Sequence, residues 1–215
     1  VKAAKLREIE RADATPVRIE GGRQAVTDAC VEAVESGDAW YASHSWSPAF
    51  FAGTATFAYE VALQRDWNIP DAIVMPLGHG TLFLGAYRGF KALSEAGWID
   101  TVPRLLGAQA AGYAPIASEL NTVPDSENDI ADGIQIREPT RKRQLLNAIA
   151  ETDGDAVAIT EDEVQGELDR LHSHGFHVES TSAIAPAAVA AYRERGTLGP
   201  DADVVIPLTG HGLKM

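Results

Sequence analysis

One segment constrains the fold of this chain more than any other: Asp71–Leu93, DAIVMPLGHGTLFLGAYRGFKAL. Ala72–Met75 is a continuous apolar run of strand length. Pro76 opens a Gly78-His79-Gly80-Thr81 turn. From Leu82 to Glu95 apolar residues recur at helical spacing, with Phe83, Ala86, Tyr87, Phe90 and Leu93 on one face. That order puts closely approaching backbone N–H groups and the positive end of a helix at the carboxyl end of a strand. Anions, phosphate above all, bind at such places.

The same alternation of strand and helix runs along the chain. Strands are predicted at Thr15–Ile19, Ala39–Ala42, Ala72–Met75, Arg104–Ala108, Ala156–Ile159, His177–Glu179 and Val204–Leu208. Helices are predicted over Gly22–Ser36, Thr54–Gln64, Leu82–Glu95, Arg141–Glu151 and Ala183–Arg195, with a short one after Ala111. Thr160 and Glu163 have the spacing of a capping box for a helix to His172. NTVPDSENDIADG reads as a surface loop between two such units. Near-continuous apolar strands joined by helices imply an α/β fold of three layers, a mainly parallel sheet with helices on both faces. Ligands of such sheets sit at the carboxyl ends of the strands.

The glycine turn fails the familiar nucleotide motifs. A dinucleotide fingerprint needs a third glycine where Phe83 stands. A phosphate loop of the G-x-x-x-x-G-K-[ST] type needs Lys and a hydroxyl where Ala86 and Tyr87 stand. A phosphate cup of Gly78, His79, Gly80 and Thr81 survives that test, and so does a tight turn that binds nothing. The chain ends on a second version of the device: Pro76-Leu77-Gly78-His79-Gly80 is echoed by Pro207-Leu208-Thr209-Gly210-His211-Gly212. Both follow apolar strands, so both would lie on one edge of a parallel sheet and could hold two parts of one cofactor. Chance reuse of common turn chemistry gives the same pattern.

Several segments, in order, resemble the pyridoxal-5′-phosphate enzymes of the tryptophan-synthase β-subunit type (fold type II), threonine synthases most closely. They are Pro76-Leu77-Gly78-His79-Gly80-Thr81, Gly89-Phe90-Lys91, Ala131-Asp132-Gly133-Ile134, Ile136-Arg137-Glu138-Pro139, Asp162-Glu163, Val178-Glu179-Ser180-Thr181-Ser182-Ala183 and Leu208-Thr209-Gly210-His211-Gly212-Leu213-Lys214. The resemblance implies that Gly78, His79, Gly80, Thr81 and Leu82 bind the cofactor phosphate. It implies that Thr209, with Gly210, meets the pyridine nitrogen, and that Gly53, Thr54 and Glu179 face an amino-acid substrate. Ala52 stands where threonine synthases usually carry Glu, and Thr81-Leu82 where they commonly carry Gly-Asn.

The resemblance also implies an absence. The family's Schiff-base lysine, and the Ser/Gly/Asn loop for the substrate carboxylate, belong to an N-terminal portion with no counterpart here. The chain has five lysines, Lys2, Lys5, Lys91, Lys142 and Lys214, and none is a convincing substitute. Residues 1–215 are therefore expected to be the large C-terminal domain of such an enzyme, with no catalytic residue and no bound metal of their own. Val1, followed at once by the helix-like KAAKLREIERA, reads as a cut inside a longer protein. The expected reaction of the intact protein is the conversion of O-phosphohomoserine and water to threonine and phosphate. Another β- or γ-eliminating lyase, an amino-acid ammonia-lyase for example, and a non-catalytic phosphate-binding domain remain open alternatives.

Composition narrows the partners. A net charge of −13 repels nucleic acid and anionic membrane surfaces. No apolar run is long enough to cross a bilayer. A small-molecule substrate, a homodimer in the intact protein and a cytoplasmic location are expected. Low Lys with abundant Asp and Glu suits either a high-salt cytoplasm or an ordinary acidic enzyme. Cys30 shares a helical face with Val26, Ala29, Ala33 and Val34, which predicts a core thiol. His172, His174 and His177 invite a zinc reading, but two of them close a helix, where cations suit the dipole. Arg141, Lys142 and Arg143 read as a solvated helix face.

Overall fold

The computed structural model of the protein describes residues 3–21 and 23–214. Residues 3–21 and 23–44, with Lys214, form one compact unit, and residues 45–213 form another. The first carries two helices, α1 (Ala3–Arg11) and α2 (Arg23–Glu35). Neither Thr15–Ile19 nor Ala39–Ala42 forms a strand, and no ladder partner reaches them among the described residues. Val17 is 78% and Trp40 81% exposed, so a strand-like local composition alone did not make sheet. Cys30 is exposed rather than core: on α2 the residues predicted to surround it are at most half-buried.

The second unit is the α/β sandwich read from the sequence. Its elements run α3 (Phe50–Gln64), β1 (Ala72–Pro76), α4 (Thr81–Glu95), β2 (Arg104–Ala110), α5 (Ala117–Leu120), a 3-10 turn (Asp132–Ile134), α6 (Lys142–Glu151), β3 (Asp155–Ile159), α7 (Glu161–Ser173), α8 (Ser180–Glu194) and β4 (Val204–Val205). The strands lie in the order β3-β2-β1-β4, all neighbours parallel, with Ile73 beside Leu105 and Val205. Each strand alternates between two cores. Ile73, Met75 and Leu105 face Phe83 and Phe90 of α4 and Leu145 of α6. Val74, Leu106 and Ala108 face Val164 and Leu168 of α7 and Ile184, Ala188 and Tyr192 of α8. Burying both faces accounts for the continuous apolar strand sequences.

Several boundaries moved: β2 runs on to Ala110, and α8 begins at Ser180, three residues before Ala183. The strand expected at Val204–Leu208 pairs only over Val204–Val205, because Pro207 has no N–H to give a ladder. His177–Glu179 contributes a single antiparallel bridge, Val178 with His211. Helix α3 begins at Phe50, four residues before Thr54. The Thr160–Glu163 capping box of α7 forms as its spacing predicted.

Candidate functional site

Built outward from β1, the site is a run of contacts between four segments. Leu77 prolongs the strand by donating its N–H to Ala108 O at 2.8 Å. The chain then turns through Gly78 and Gly80, both buried. A Cβ on Gly78 would lie 3.1 Å from Ile134 Cγ2, so the turn rests on the 3-10 segment. Gly80 has φ +78°, and a Cβ there would collide with Leu145 Cδ2 of α6. Gly133 donates its N–H to Thr181 Oγ1 at 3.1 Å. At the start of α8, Glu179 donates its N–H to Gly210 O at 3.0 Å. A Cβ on Gly210 would collide with Glu179 Oε1. Glycine turn, 3-10 segment, α8 start and terminal loop thus touch in succession.

The turn has the donors that a phosphate needs. Gly80 caps α4 without any side-chain cap, and the first α4 amide taken up is that of Leu84, by Gly80 O at 2.9 Å. Among the described residues no hydrogen bond uses the N–H of Gly80, Thr81 or Leu82. Thr81 Oγ1 is buried and has no hydrogen-bond partner among the described residues. A buried hydroxyl left alone costs about 1–3 kcal/mol, so an acceptor is wanted there. Open amides, an unmatched hydroxyl and the positive helix end form a donor set that fits a phosphate. His79 is half-buried within the same turn.

The other sequence-predicted residues are placed differently. Thr54, read as the first residue of its helix, lies four residues inside α3, and its hydroxyl donates to Thr81 O at 3.1 Å. It packs where Gly85 leaves room between α3 and α4. Gly53 is exposed one position before it. Leu82 is half-buried against the α4–α6 core. Thr209 is exposed, and Gly210 beside it is buried against Glu179. Arg141 is not part of a solvated face: it donates to Ser45 O at 2.8 Å and Trp46 O at 2.7 Å and lies 4.8 Å over the Phe51 ring.

Two residues that sequence reasoning passed over hold the site. Gln109 is fully buried at the end of β2, with Nε2 donating to Leu77 O at 3.1 Å. Its Oε1 accepts from the N–H of Ile116 at 2.8 Å and of Ala117 at 2.9 Å. Asn128, in the predicted surface loop, is fully buried and donates to Ile159 O at 3.1 Å. An amide inside an apolar strand was the available signal for Gln109, since a buried amide must find partners. Lys91 and Lys142 are spoken for by Glu151 at 2.8 Å and Glu119 at 2.6 Å.

A model of the family described as "Pyridoxal-phosphate dependent enzyme" matches residues 1–210. The chain belongs to that family. Pyridoxal phosphate is the family's cofactor, and the donor set at Gly80–Leu82 fits its phosphate. A threonine synthase of Methanosarcina acetivorans is 33% identical over 183 residues, which cover 81% of this chain and 45% of that protein. One of Methanocaldococcus jannaschii is 32% identical over 181 residues, with the same coverages. The chain thus spans less than half the length of these relatives. Among solved structures, maize serine racemase superposes with a TM-score of 0.77 at 17% identity, covering 98% of this chain and 63% of that one. A processed threonine deaminase of Solanum lycopersicum gives 0.76 at 18%, covering 98% and 56%. At such identities the likeness is one of fold.

Proposed function

We propose that these residues are the large C-terminal domain of a threonine synthase, which replaces the phosphate of O-phosphohomoserine by water. The observation that carries the reading is the open donor set at the start of α4, set in one run of contacts with Glu179 and the Thr209–Gly210 loop. Threonine synthases among the relatives support the choice of reaction.

When bound, pyridoxal phosphate supplies an electron sink for negative charge developing on the substrate carbons. The chain's own residues hold it. The N–H groups of Gly80, Thr81 and Leu82 and the Thr81 hydroxyl bind the phosphate; Gly78 rests on Ile134 and fixes the turn's height above the sheet. Thr209 offers a neutral hydroxyl to the ring nitrogen, which leaves the ring less electron-withdrawing than a charged partner would. Glu179, beside Gly210, faces the substrate side. The resemblance to threonine synthases puts the proton-transferring amine on a lysine outside these residues; Lys91 and Lys142 are engaged by Glu151 and Glu119. In the intact protein a homodimer in the cytoplasm is the expected setting.

The reading is tested by adding pyridoxal phosphate to the 215-residue chain and reducing with borohydride. Binding without a stoichiometric lysine adduct is the expected result, whereas one specific adduct would overturn the placement of the amine. Joining the chain to the preceding coding sequence and assaying phosphate release from O-phosphohomoserine tests the reaction itself.

A further inference from the structure

A cavity of about 570 Å³ opens beside the loop that follows β2, lined by residues 112–115, 118, 123–127 and Arg137, none of which belongs to the Gly78–Leu82 turn. The chain builds it deliberately. It leaves β2 through Ala111, runs out along α5, and returns to Asn128, whose N–H donates to Ala111 O at 3.0 Å. The two arms meet at Gly112, where φ is +78° and a Cβ would stand 3.0 Å from Glu127 Cγ and 3.2 Å from Ser126 O. Only a glycine permits that closure without displacing the returning arm. The volume lies in the range of small-molecule sites.

The lining carries charges of both signs with capacity to spare. Arg137 Cζ lies 4.4 Å from the centre of the Tyr113 ring, and the guanidinium gives one N–H to Glu127 Oε1 at 3.2 Å. A guanidinium has five donors, so most of its fork stays open. Among the described residues the Asp125 carboxylate and the Ser118 and Ser126 hydroxyls have no hydrogen-bond or ion-pair partner. Val123 and Pro124 give an apolar side. A ligand matched to this lining needs an anionic group for the guanidinium fork, a cationic group for Asp125 and a short apolar body.

We propose that this cavity, whose lining shares no residue with the Gly78–Leu82 turn, is a second binding site for a small zwitterionic α-amino acid. Its carboxylate pairs with the open side of the Arg137 fork, which planar bidentate recognition favours. Its ammonium sits between Asp125 and Glu127, and its side chain lies against Val123 and Pro124. The site needs no cofactor, so it stands or falls apart from the proposed reaction.

The experiment is a calorimetric and NMR titration of the cofactor-free 215-residue chain with L-threonine, using propylamine and butyrate as one-charge probes. Saturable threonine binding is expected, weakened about tenfold or more by Arg137→Gln and by Asp125→Asn, each of which removes a charge-assisted contact. Both side chains are exposed, and circular dichroism checks that each variant is folded. Each one-charge probe should bind about tenfold more weakly than threonine. Absence of saturable binding, threonine binding unchanged in either variant, or propylamine or butyrate binding as well as threonine would each overturn the proposal.

Discussion

Gln109 Nε2 donates to Leu77 O at 3.1 Å, which ties the end of β2 to the residue just before the Gly78–Gly80 turn. The same amide's oxygen takes the N–H groups of Ile116 and Ala117, so one side chain fixes two loops. Gln109→Leu leaves a carbonyl and two amides unsatisfied and is expected to cost about 3 kcal/mol or more, read from urea denaturation. Gln109→Glu keeps an acceptor and should lose less. Equal losses in both would show that packing, not hydrogen bonding, sets the cost.

Gly80 answers to two demands at once, a positive φ and the Leu145 side chain on its α face. Gly80→Ala is expected to destabilise by about 2–4 kcal/mol, from left-handed backbone cost and overpacking together. Trimming the neighbour separates the two. In a double-mutant cycle with Leu145→Ala, the pair should lose at least about 1 kcal/mol less than the sum of the singles. Additive losses would mean that the backbone conformation alone demands glycine.

The sheet and its helices were legible because strand and helix periods differ and both faces of each strand are buried. Ala72–Met75 and Leu82–Glu95 carry that pattern without interruption, and the structure follows it. Thr15–Ile19 and Ala39–Ala42 carry a similar local pattern, yet pairing is a property of partners far along the chain, which local sequence does not display. The glycine turn was legible because positive φ and close approach leave few alternatives at Gly80. Gln109, Asn128 and Arg141 were not, because a polar side chain's partners are set by tertiary packing: each reaches carbonyls 31 or more positions away.

Tyr192 is fully buried in α8, and its hydroxyl donates to Gly107 O at 2.7 Å, clamping α8 to β2. Burial, with Asp155 nearby, pushes its phenol well above the usual value of 10.0. The folded chain therefore holds this proton more tightly than the unfolded chain. Its contribution is complete below about pH 10 and is lost as pH rises beyond that, because the unfolded phenol ionises first. Denaturation midpoints measured from pH 8 to pH 11 should fall above about pH 10. Tyr192→Phe should start about 1 kcal/mol lower at neutral pH and flatten that fall. An unchanged alkaline slope in the variant would assign the fall to other groups.

Thr81 separates a binding role from a structural one, because its hydroxyl is buried yet makes no hydrogen bond among the described residues. Its backbone oxygen is used, accepting from Thr54 Oγ1, and any residue can supply that. Thr81→Val keeps the side chain's shape and removes only the unmatched hydroxyl. Stability in the absence of ligand should therefore hold or rise by up to about 1 kcal/mol, since an unpaired buried group disappears. Affinity for pyridoxal phosphate, followed by absorbance, and for inorganic phosphate, followed by calorimetry, should each fall about tenfold with the loss of one charge-assisted hydrogen bond. The opposite pairing, a loss of stability with phosphate affinity intact, would place the hydroxyl in the scaffold and move the phosphate away from the start of α4.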